Sequence, residues 1–226
     1  MDAAASLLLG AACPGCRTPC AGLCATCSTQ VRAAEPFTVP DARCGVPVVA
    51  AAAYADVWQR CIVAYKERTG WWLGGPLGES LALAAVEAVR AVGRPDGGLT
   101  LVPLPSQPRS VRERGLDTTL TLARVAARSL ARAGLPARVE PTLRHVRAVA
   151  DQSSLGVAHR LTNLAGALVA RPLSMGDAGP GDLRLVVDDL TTTGASLAEA
   201  CRALDRAGTP ASACAVVAAT PRRWGA

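Results

Sequence analysis

The chain has 226 residues, half of them hydrophobic, which is enough for one ordinary α/β domain with a small appendage. Aromatic residues make up only 3%, so we expect a core built from Ala, Leu and Val; the net charge of +6 is mostly arginine and is weak evidence for nucleic-acid binding. No apolar run approaches the ~20 residues that span a bilayer, and the N-terminus lacks the positive segment of a signal peptide. We therefore expect a cytoplasmic protein without membrane association.

Two CxxC pairs near the N-terminus predict a metal site. Cys13 and Cys16 form the first pair, and Cys24 and Cys27 form the second. Two such turns can place four thiolates around a tetrahedral zinc ion, whereas disulfides are rare in cytosolic proteins. Cys20, between the pairs, is an alternative ligand, and a redox-active or fortuitous cluster is the alternative interpretation. We expect the other four cysteines to be isolated, buried, small apolar residues: Cys44, Cys61, Cys201 and Cys214.

Strand and helix patterns alternate after the cysteine cluster. Residues 46–54 predict a first strand, and residues 56–70 and 76–92 predict helices, the second ended by Gly93. Residues 99–105 predict a buried strand that ends in a proline-containing turn. Ligands bind at the carboxyl edge of an open α/β sheet, so this turn is a candidate binding segment.

An arginine-rich loop is predicted over residues 109–115, followed by a helix that opens at Asp117 and ends at Gly134. The apolar face that we expect for this helix is Leu120, Ala123, Ala127 and Leu130. Further strands are predicted over residues 139–143, 166–170 and 213–218.

The most informative stretch is residues 183–196. Its first five residues predict a buried strand, which we expect to end before Asp188 and Asp189. A Thr-rich turn with Gly194 leads into a helix from Leu197 to a Gly208 cap. Unpaired N–H groups at this helix N-terminus, together with its dipole, favour a phosphate monoester. The carboxylates suit a ribose diol or Mg²⁺, and the whole set describes phosphoribosyl pyrophosphate (PRPP). The alternative is an ordinary strand-to-helix turn.

The run from Asp188 to Ser196 resembles the ribose-phosphate loop of type I phosphoribosyltransferases, in particular of the ComF (competence protein F-like) family. The family pattern of two Asp, a hydrophobic residue, a variable residue, Thr-Thr-Gly-Ala and Thr or Ser maps onto this run without a gap. The resemblance covers nearly the whole chain, anchored at the cysteine cluster, residues 103–115 and residues 188–196. It implies a type I phosphoribosyltransferase-like α/β fold: an open, mostly parallel sheet with helices on both faces, plus a small N-terminal zinc lobe.

The resemblance also implies roles for individual residues. Asp188 and Asp189 would contact the ribose hydroxyls, and Arg112 and Arg114 would belong to a mobile catalytic loop. The residues that it implies for binding PRPP are Thr191, Thr192, Thr193, Gly194, Ala195 and Ser196 in the phosphate loop, Pro103, Leu104 and Pro105 in the pyrophosphate turn, and Lys66. The family's Phe-Asn-Gln after Gly115 is replaced by Leu116, Asp117 and Thr118. Gln152, Arg160 and Asn163 resemble spaced polar residues of the family, and helix capping is the equal alternative.

We expect residues 1–45 to form the zinc lobe and linker, and residues 46–226 the phosphoribosyltransferase-like domain. The expected function is binding of Mg²⁺-PRPP and transfer of its phosphoribosyl group to an unidentified nitrogenous base, with structural zinc and with magnesium as cofactors. One alternative is a competence or DNA-uptake accessory protein that acts with single-stranded DNA or a helicase partner; another is a non-catalytic PRPP-sensing regulator. A homodimer is a further alternative for its assembly.

Overall fold

The computed structural model describes residues 11–40, 43–67, 70–146, 166–171 and 181–221. Its helices in chain order are α1 (Ala25–Arg32), α2 (Asp56–Lys66), α3 (Gly74–Val92), α4 (Pro108–Arg114), α5 (Thr118–Arg132) and α6 (Ala195–Arg206), with a 3₁₀ turn at Trp71–Leu73. Its strands are β1 (Phe37–Thr38), β2 (Val48–Ala53), β3 (Leu99–Pro103), β4 (Ala137–Val139), β5 (Leu143–His145), β6 (Leu168–Ala170), β7 (Leu183–Thr191) and β8 (Ala213–Ala219).

The main sheet is mostly parallel, as predicted. In the described part of the chain it has six strands in the order β1-β2-β8-β7-β3-β4, and only the β1–β2 pair is antiparallel. β5 and β6 form a separate antiparallel pair. The prediction of one strand over residues 139–143 is therefore wrong, because β4 ends at Val139 and β5 begins at Leu143. Glu140 N still bonds Leu101 O, after which the chain leaves the main sheet.

Helices cover both faces of the sheet, which confirms the layered α/β prediction. Alternation along β7 places Leu185 and Val187 in one apolar core and Val186 in the other. The first core contains side chains from α2, α3 and α5, and the second contains those of α6 together with the β5–β6 pair. Nearly continuous burial of β7 and β8 is what a central parallel strand requires.

The buried face of α5 differs from the predicted one. Its buried apolar residues are Leu122, Ala123, Ala126 and Leu130, whereas Leu120 and Ala127 are only partly buried. The burial follows an i, i+1, i+4, i+8 stripe that packs on α3 and the sheet, so the helix is rotated from the expected orientation. Asp117 does begin this helix, as predicted, because its side chain accepts the Leu120 N–H at 3.1 Å.

The arginine-rich segment contains a short helix, so the prediction of a loop there is wrong. Pro108 occupies the first turn of α4, and Gly115 ends it in the left-handed conformation with φ of 74°. Arg109 Nε lies 2.7 Å from Glu113 Oε1 one turn later, a favourable i, i+4 pair. These three local features favour a short helix over a loop in this segment.

The N-terminal cysteine region packs directly on the main domain. Cys13, Cys27 and Val31 are buried in the same core as the residues of α2 and α3. Ser80 Oγ on α3 also donates to Val31 O at 3.1 Å. The segment after α1 then supplies β1 to the edge of the main sheet. Among the described residues, no helix is long and apolar enough to cross a membrane.

Candidate functional site

The candidate site lies where β7 extends beyond its neighbour β3. The prediction that this strand ends before Asp188 is wrong, because β8 continues to pair with it as far as Thr191 opposite Ala219. On the other side the ladder stops with Pro103 opposite Val187, and Leu104 N makes the last bond to Val187 O at 2.9 Å. Residues 188–191 are therefore paired along one edge only, and the other edge borders a cleft.

This cleft brings together most of the residues that the sequence predicted for the site. It has a volume of about 280 Å³. The predicted residues that line it are Lys66, Leu104, Pro105, Arg114, Asp188, Asp189, Thr192 and Ser196. They come from α2, the turn after β3, α4, β7 and the start of α6, so segments far apart in sequence meet at the carboxyl edge of the sheet, as a parallel α/β fold requires.

The turn between β7 and α6 is shaped by Gly194. This residue is the N-cap of α6 with φ of 77°, a left-handed conformation that costs other residues strain. Thr193 Oγ1 accepts the Ala195 N–H at 3.4 Å, while Thr192 is exposed and Ser196 is half-buried. The open first turn of α6 and the hydroxyls of Thr192 and Ser196 form a donor-rich end to the cleft.

The two acids have different environments. Asp189 is 5% exposed, and its Oδ1 lies 2.9 Å from Lys66 Nζ. Asp188 Oδ1 accepts the Asp189 N–H at 2.8 Å and lies 3.4 Å from the Thr119 hydroxyl that donates to it. Burial and the neighbouring Asp189 charge raise the pKa of Asp188 to about 8. Burial alone would lower the pKa of Lys66, but the Asp189 charge raises it, so the ammonium persists at neutral pH.

The turn after β3 has few amide donors of its own. Pro103 and Pro105 have no N–H, and the Leu104 N–H is used in the bond to Val187. The Pro105 carbonyl lies 3.0 Å from His145 Nε2. The prolines therefore fix the shape of the turn, and polar side chains further along supply the donors of this wall of the cleft: Ser106, Gln107, Ser110 and Arg114.

Other predicted residues lie outside the cleft lining. Arg112 is exposed on α4. Thr191, Thr193 and Gly194 line a second, mainly apolar cavity of about 450 Å³ on the other side of the turn, and Thr192 borders both cavities. Pro103 is the last residue of β3, and Ala195 is buried at the first position of α6. Gln152, Arg160 and Asn163 lie outside the described residues.

The cleft also contains polar residues that were not predicted as site residues, among them one histidine and two threonines. His145 enters from β5, and Thr118 and Thr119 enter from the first turn of α5. His145 is one of two histidines in the sequence, and no spacing relative to the acidic stretch indicated it. The threonines could have been found from their position directly after the Asp117 cap, because a helix that begins at the carboxyl edge of the sheet points its first turn at the site.

No family model matches this chain, and no curated protein matches it. The interpretation of the cleft therefore depends on its geometry and on the chemistry of its residues.

A second site is formed by the predicted cysteines. The sulfur atoms of Cys13, Cys16, Cys24 and Cys27 all lie within 4.8 Å of one another, and those of Cys16 and Cys24 are 3.6 Å apart. A zinc ion with bonds of about 2.3 Å requires tetrahedral sulfurs roughly 3.8 Å apart. The four N-terminal cysteines are thus close enough to bind a metal such as zinc.

The backbone of the cysteine turns also points at the sulfurs. The Cys24 N–H lies 3.4 Å from Cys13 Sγ, and the Cys27 N–H lies 3.5 Å from Cys24 Sγ. Such contacts orient thiolates and offset their charge in a metal site. Cys20 is outside the four-sulfur group, and its thiol contacts the Gly22 carbonyl at 3.3 Å.

Proposed function

We propose that the protein is a phosphoribosyltransferase-like member of the ComF family, which binds Mg²⁺-PRPP in the cleft and transfers the phosphoribosyl group to a nitrogenous base. The observation that supports this most is the meeting, in one cleft, of the acidic end of β7, the first turn of α6 and the cationic side chains of Lys66 and Arg114. A polyanionic sugar phosphate needs this combination of fixed dipoles, hydroxyls and charge.

The 5-phosphate would lie at the start of α6. There the helix dipole and the open N–H groups of the first turn favour an anion, and the Thr192 and Ser196 hydroxyls add neutral donors. Gly194 allows the backbone to turn sharply at this point. The phosphate would thereby be held without a lysine in the loop, and the sugar would extend along β7.

The ribose hydroxyls would be held by the acids. Asp189 is already fixed by Lys66, so it offers an oriented carboxylate as an acceptor. Burial and the Asp189 charge raise the pKa of Asp188, so a cation bound beside it would favour its ionised form. Two acids with one ammonium between them provide acceptors for a diol without an unbalanced double negative charge.

The pyrophosphate would lie along the turn after β3 and the start of α4. Because residues 103–105 lack a spare N–H, side-chain donors would contact it, chiefly Ser110 and the Arg114 guanidinium. Catalysis would depend mainly on stabilising the negative charge that builds up on the departing pyrophosphate. The reaction would need no strong base from the protein. Thr118 and Thr119 complete this wall of the cleft with hydroxyls.

Magnesium fits the donor chemistry of the cleft. Asp188 and the neighbouring hydroxyls are hard oxygen ligands of the kind that Mg²⁺ uses, and magnesium is usually bound by one or two carboxylates together with substrate phosphates. Asp188 would hold the ion together with PRPP, and the ion would neutralise charge on the pyrophosphate. Zinc in the cysteine group would have a structural role, because all four of its ligands come from the protein.

The acceptor base would enter from the second cavity. Thr192 borders both this cavity and the cleft, and Phe37, Val39 and Pro40 give the cavity an apolar wall beside the turn. Planar heterocycles favour such surfaces, with a few polar groups at the rim.

Calorimetric titration with Mg²⁺-PRPP tests the proposal. We expect Ser196→Ala and Arg114→Met each to weaken binding by about tenfold, the loss of one charge-assisted or well-placed hydrogen bond. Ser129→Ala and Arg124→Met, both on the remote part of α5, should bind like the wild type. Thermal unfolding of each variant shows whether the fold is kept.

Binding that is absent in the wild type, or unchanged in both cleft variants, would overturn the assignment. A parallel titration of labelled single-stranded DNA by anisotropy at two salt concentrations tests the competence alternative. Release of pyrophosphate in a screen of bases distinguishes a transferase from a regulator that binds PRPP without turnover.

A further inference from the structure

Three cysteines that are far apart in sequence meet beside the turn between β7 and α6. Cys201 on α6 and Cys214 on β8 have sulfur atoms 3.6 Å apart, and the two residues are 9% and 0% exposed. Cys44, in the segment before β2, packs on the same apolar core as these two residues. Its sulfur also lies 3.9 Å from the Gly194 carbonyl oxygen. None of the three has a place in the proposed transferase chemistry.

The three cysteines differ in solvent access and in pKa, the two properties that determine which thiol an oxidant reaches first. Cys44 is half-buried and so can be reached from solvent, whereas Cys214 is fully buried. Hydrogen bonds from Cys201 and Cys214 lower the pKa of Cys44 to about 4, and bonds to Cys201 and Cys44 raise the pKa of Cys214 well above its usual value. Of the three sulfurs, that of Cys44 therefore combines access to solvent with a lowered pKa, and both properties favour its reaction with an oxidant.

We propose that Cys44, Cys201 and Cys214 form a peroxide-reactive redox site in which Cys44 is oxidised first and Cys201 resolves it as a disulfide. Cys201 is the resolving residue because it retains some exposure on a helix, whereas Cys214 is fixed in the hydrogen-bonded ladder of a central strand. Thiolate character combined with access determines which cysteines react with peroxides.

The chemistry is balanced with a hydroperoxide as the oxidant. The Cys44 thiolate attacks the peroxide, an S–O bond forms as the O–O bond breaks, and the released alkoxide or hydroxide takes a proton from solvent. Cys201 sulfur then attacks the sulfenic sulfur, an S–S bond forms as the S–O bond breaks, and the departing hydroxide takes up the Cys201 proton as water. Cys44 is oxidised to the sulfenic acid by two electrons, and the hydroperoxide is reduced.

Peptide mapping of the full-length, metal-loaded protein tests this site. After reductant is removed, hydrogen peroxide should produce a Cys44–Cys201 cross-link with a mass loss of about 2 Da. In Cys201→Ser, Cys44 should accumulate as a sulfenic acid, about 16 Da heavier, that a dione reagent traps. Cys44→Ser should slow oxidation of the other two sulfurs by about tenfold or more, because the accessible thiolate is gone. Cys61→Ser, a buried cysteine on α2, is the matched control and should behave like the wild type.

Peptide mapping distinguishes oxidation of these three cysteines from oxidation of the four metal-binding cysteines. The cross-link is looked for in the wild type, so the test does not depend on the variants folding well. A reduced Cys44 peptide after the metal-site cysteines have been oxidised would overturn the proposal. A Cys201–Cys214 disulfide formed while Cys44 remains a thiol would overturn the assigned order. A second metal ion bound at these three cysteines, with Cys44 protected from peroxide, would overturn the redox proposal and indicate a metal site instead.

Discussion

Replacing Lys66 with methionine should destabilise the protein in a way that increases with pH. Lys66 Nζ lies 2.9 Å from Asp189 Oδ1, and the side chain of Asp189 is only 7% exposed. Removing one partner of a buried pair costs about 3–5 kcal/mol. Because 33% of the Lys66 side chain remains exposed, solvent screens the pair, and we expect a loss of about 2 kcal/mol at pH 8.

The pH dependence follows from the acids that remain. The Lys66 charge lowers the pKa of Asp188, so in Lys66→Met the folded state holds the Asp188 proton to a still higher pH, further above the range in which the unfolded state loses it. When the pKa of a carboxyl is higher in the folded state than in the unfolded state, the free energy of unfolding falls as the pH rises between these two pKa values. The fall is at most about 1.4 kcal/mol per pH unit. The Asp189 charge raises the pKa of Lys66 above its usual value. In the wild type the Lys66 ammonium therefore remains charged across pH 6–9.

Urea unfolding followed by tryptophan fluorescence at pH 6, 7, 8 and 9 measures this effect. The difference in unfolding free energy between wild type and Lys66→Met should be smallest at pH 6 and largest at pH 9. Arg90→Met is the matched control, because Arg90 pairs with Glu87 at 3.1 Å but is 72% exposed, and it should cost under about 1 kcal/mol at every pH. A Lys66→Met difference that is constant with pH, or no larger than that of the control, would refute the reasoning.

Three further predictions concern the metal site, Gly194, and Gly78 with Gly75 as its control. The purified protein should contain about one zinc ion per chain, and a chelator should lower its melting temperature; Cys16→Ser should lose the ion by elemental analysis, while Cys20→Ser, outside the four-sulfur group, should keep it. Gly194→Ala should cost about 1–2 kcal/mol in urea unfolding, because its φ of 77° is strained for alanine; an unchanged midpoint would contradict the left-handed turn. Gly78→Ala should destabilise by about 1–3 kcal/mol, because a Cβ there would lie 2.5 Å from Val125 Cβ, whereas Gly75→Ala on the same helix has open space and should stabilise by about 0.5–1 kcal/mol. Equal midpoints for these two alanine variants would show that α3 and α5 are packed less closely.

Local patterns predicted the elements of the fold well where one sequence signal decides the structure. The Gly93 stop, the Asp117 cap and the Gly208 cap lie where they were predicted, because each depends on the residue's own backbone or side chain. The end of β7 was mispredicted because it is decided by a partner: β8 offers ladder bonds to residues 188–191 that no feature of those residues indicates.

The candidate site was predictable only in part, for the same reason. Residues of the acidic stretch were found from their own spacing, but the pairing of Lys66 with Asp189 joins positions 123 residues apart. The predicted isolation of Cys201 and Cys214 is wrong, since the fold places their sulfur atoms in contact across a helix and a strand. His145 was missed because a single histidine on a short strand has no local signature.

Helix α2 physically joins the two sites of the molecule. Its first turns contact the cysteine turns, where Val57 packs near Gly15 and Arg60 Nε donates to the Gly15 carbonyl; its last residue is Lys66. The helix spans about 16 Å, a rigid connection on the scale of one domain. Displacing the first cysteine turn would therefore shift the ammonium that balances the acids at the other end. Metal content becomes an experimental variable for any measurement on the cleft, and a partly depleted preparation would give a mixture of affinities instead of a single one.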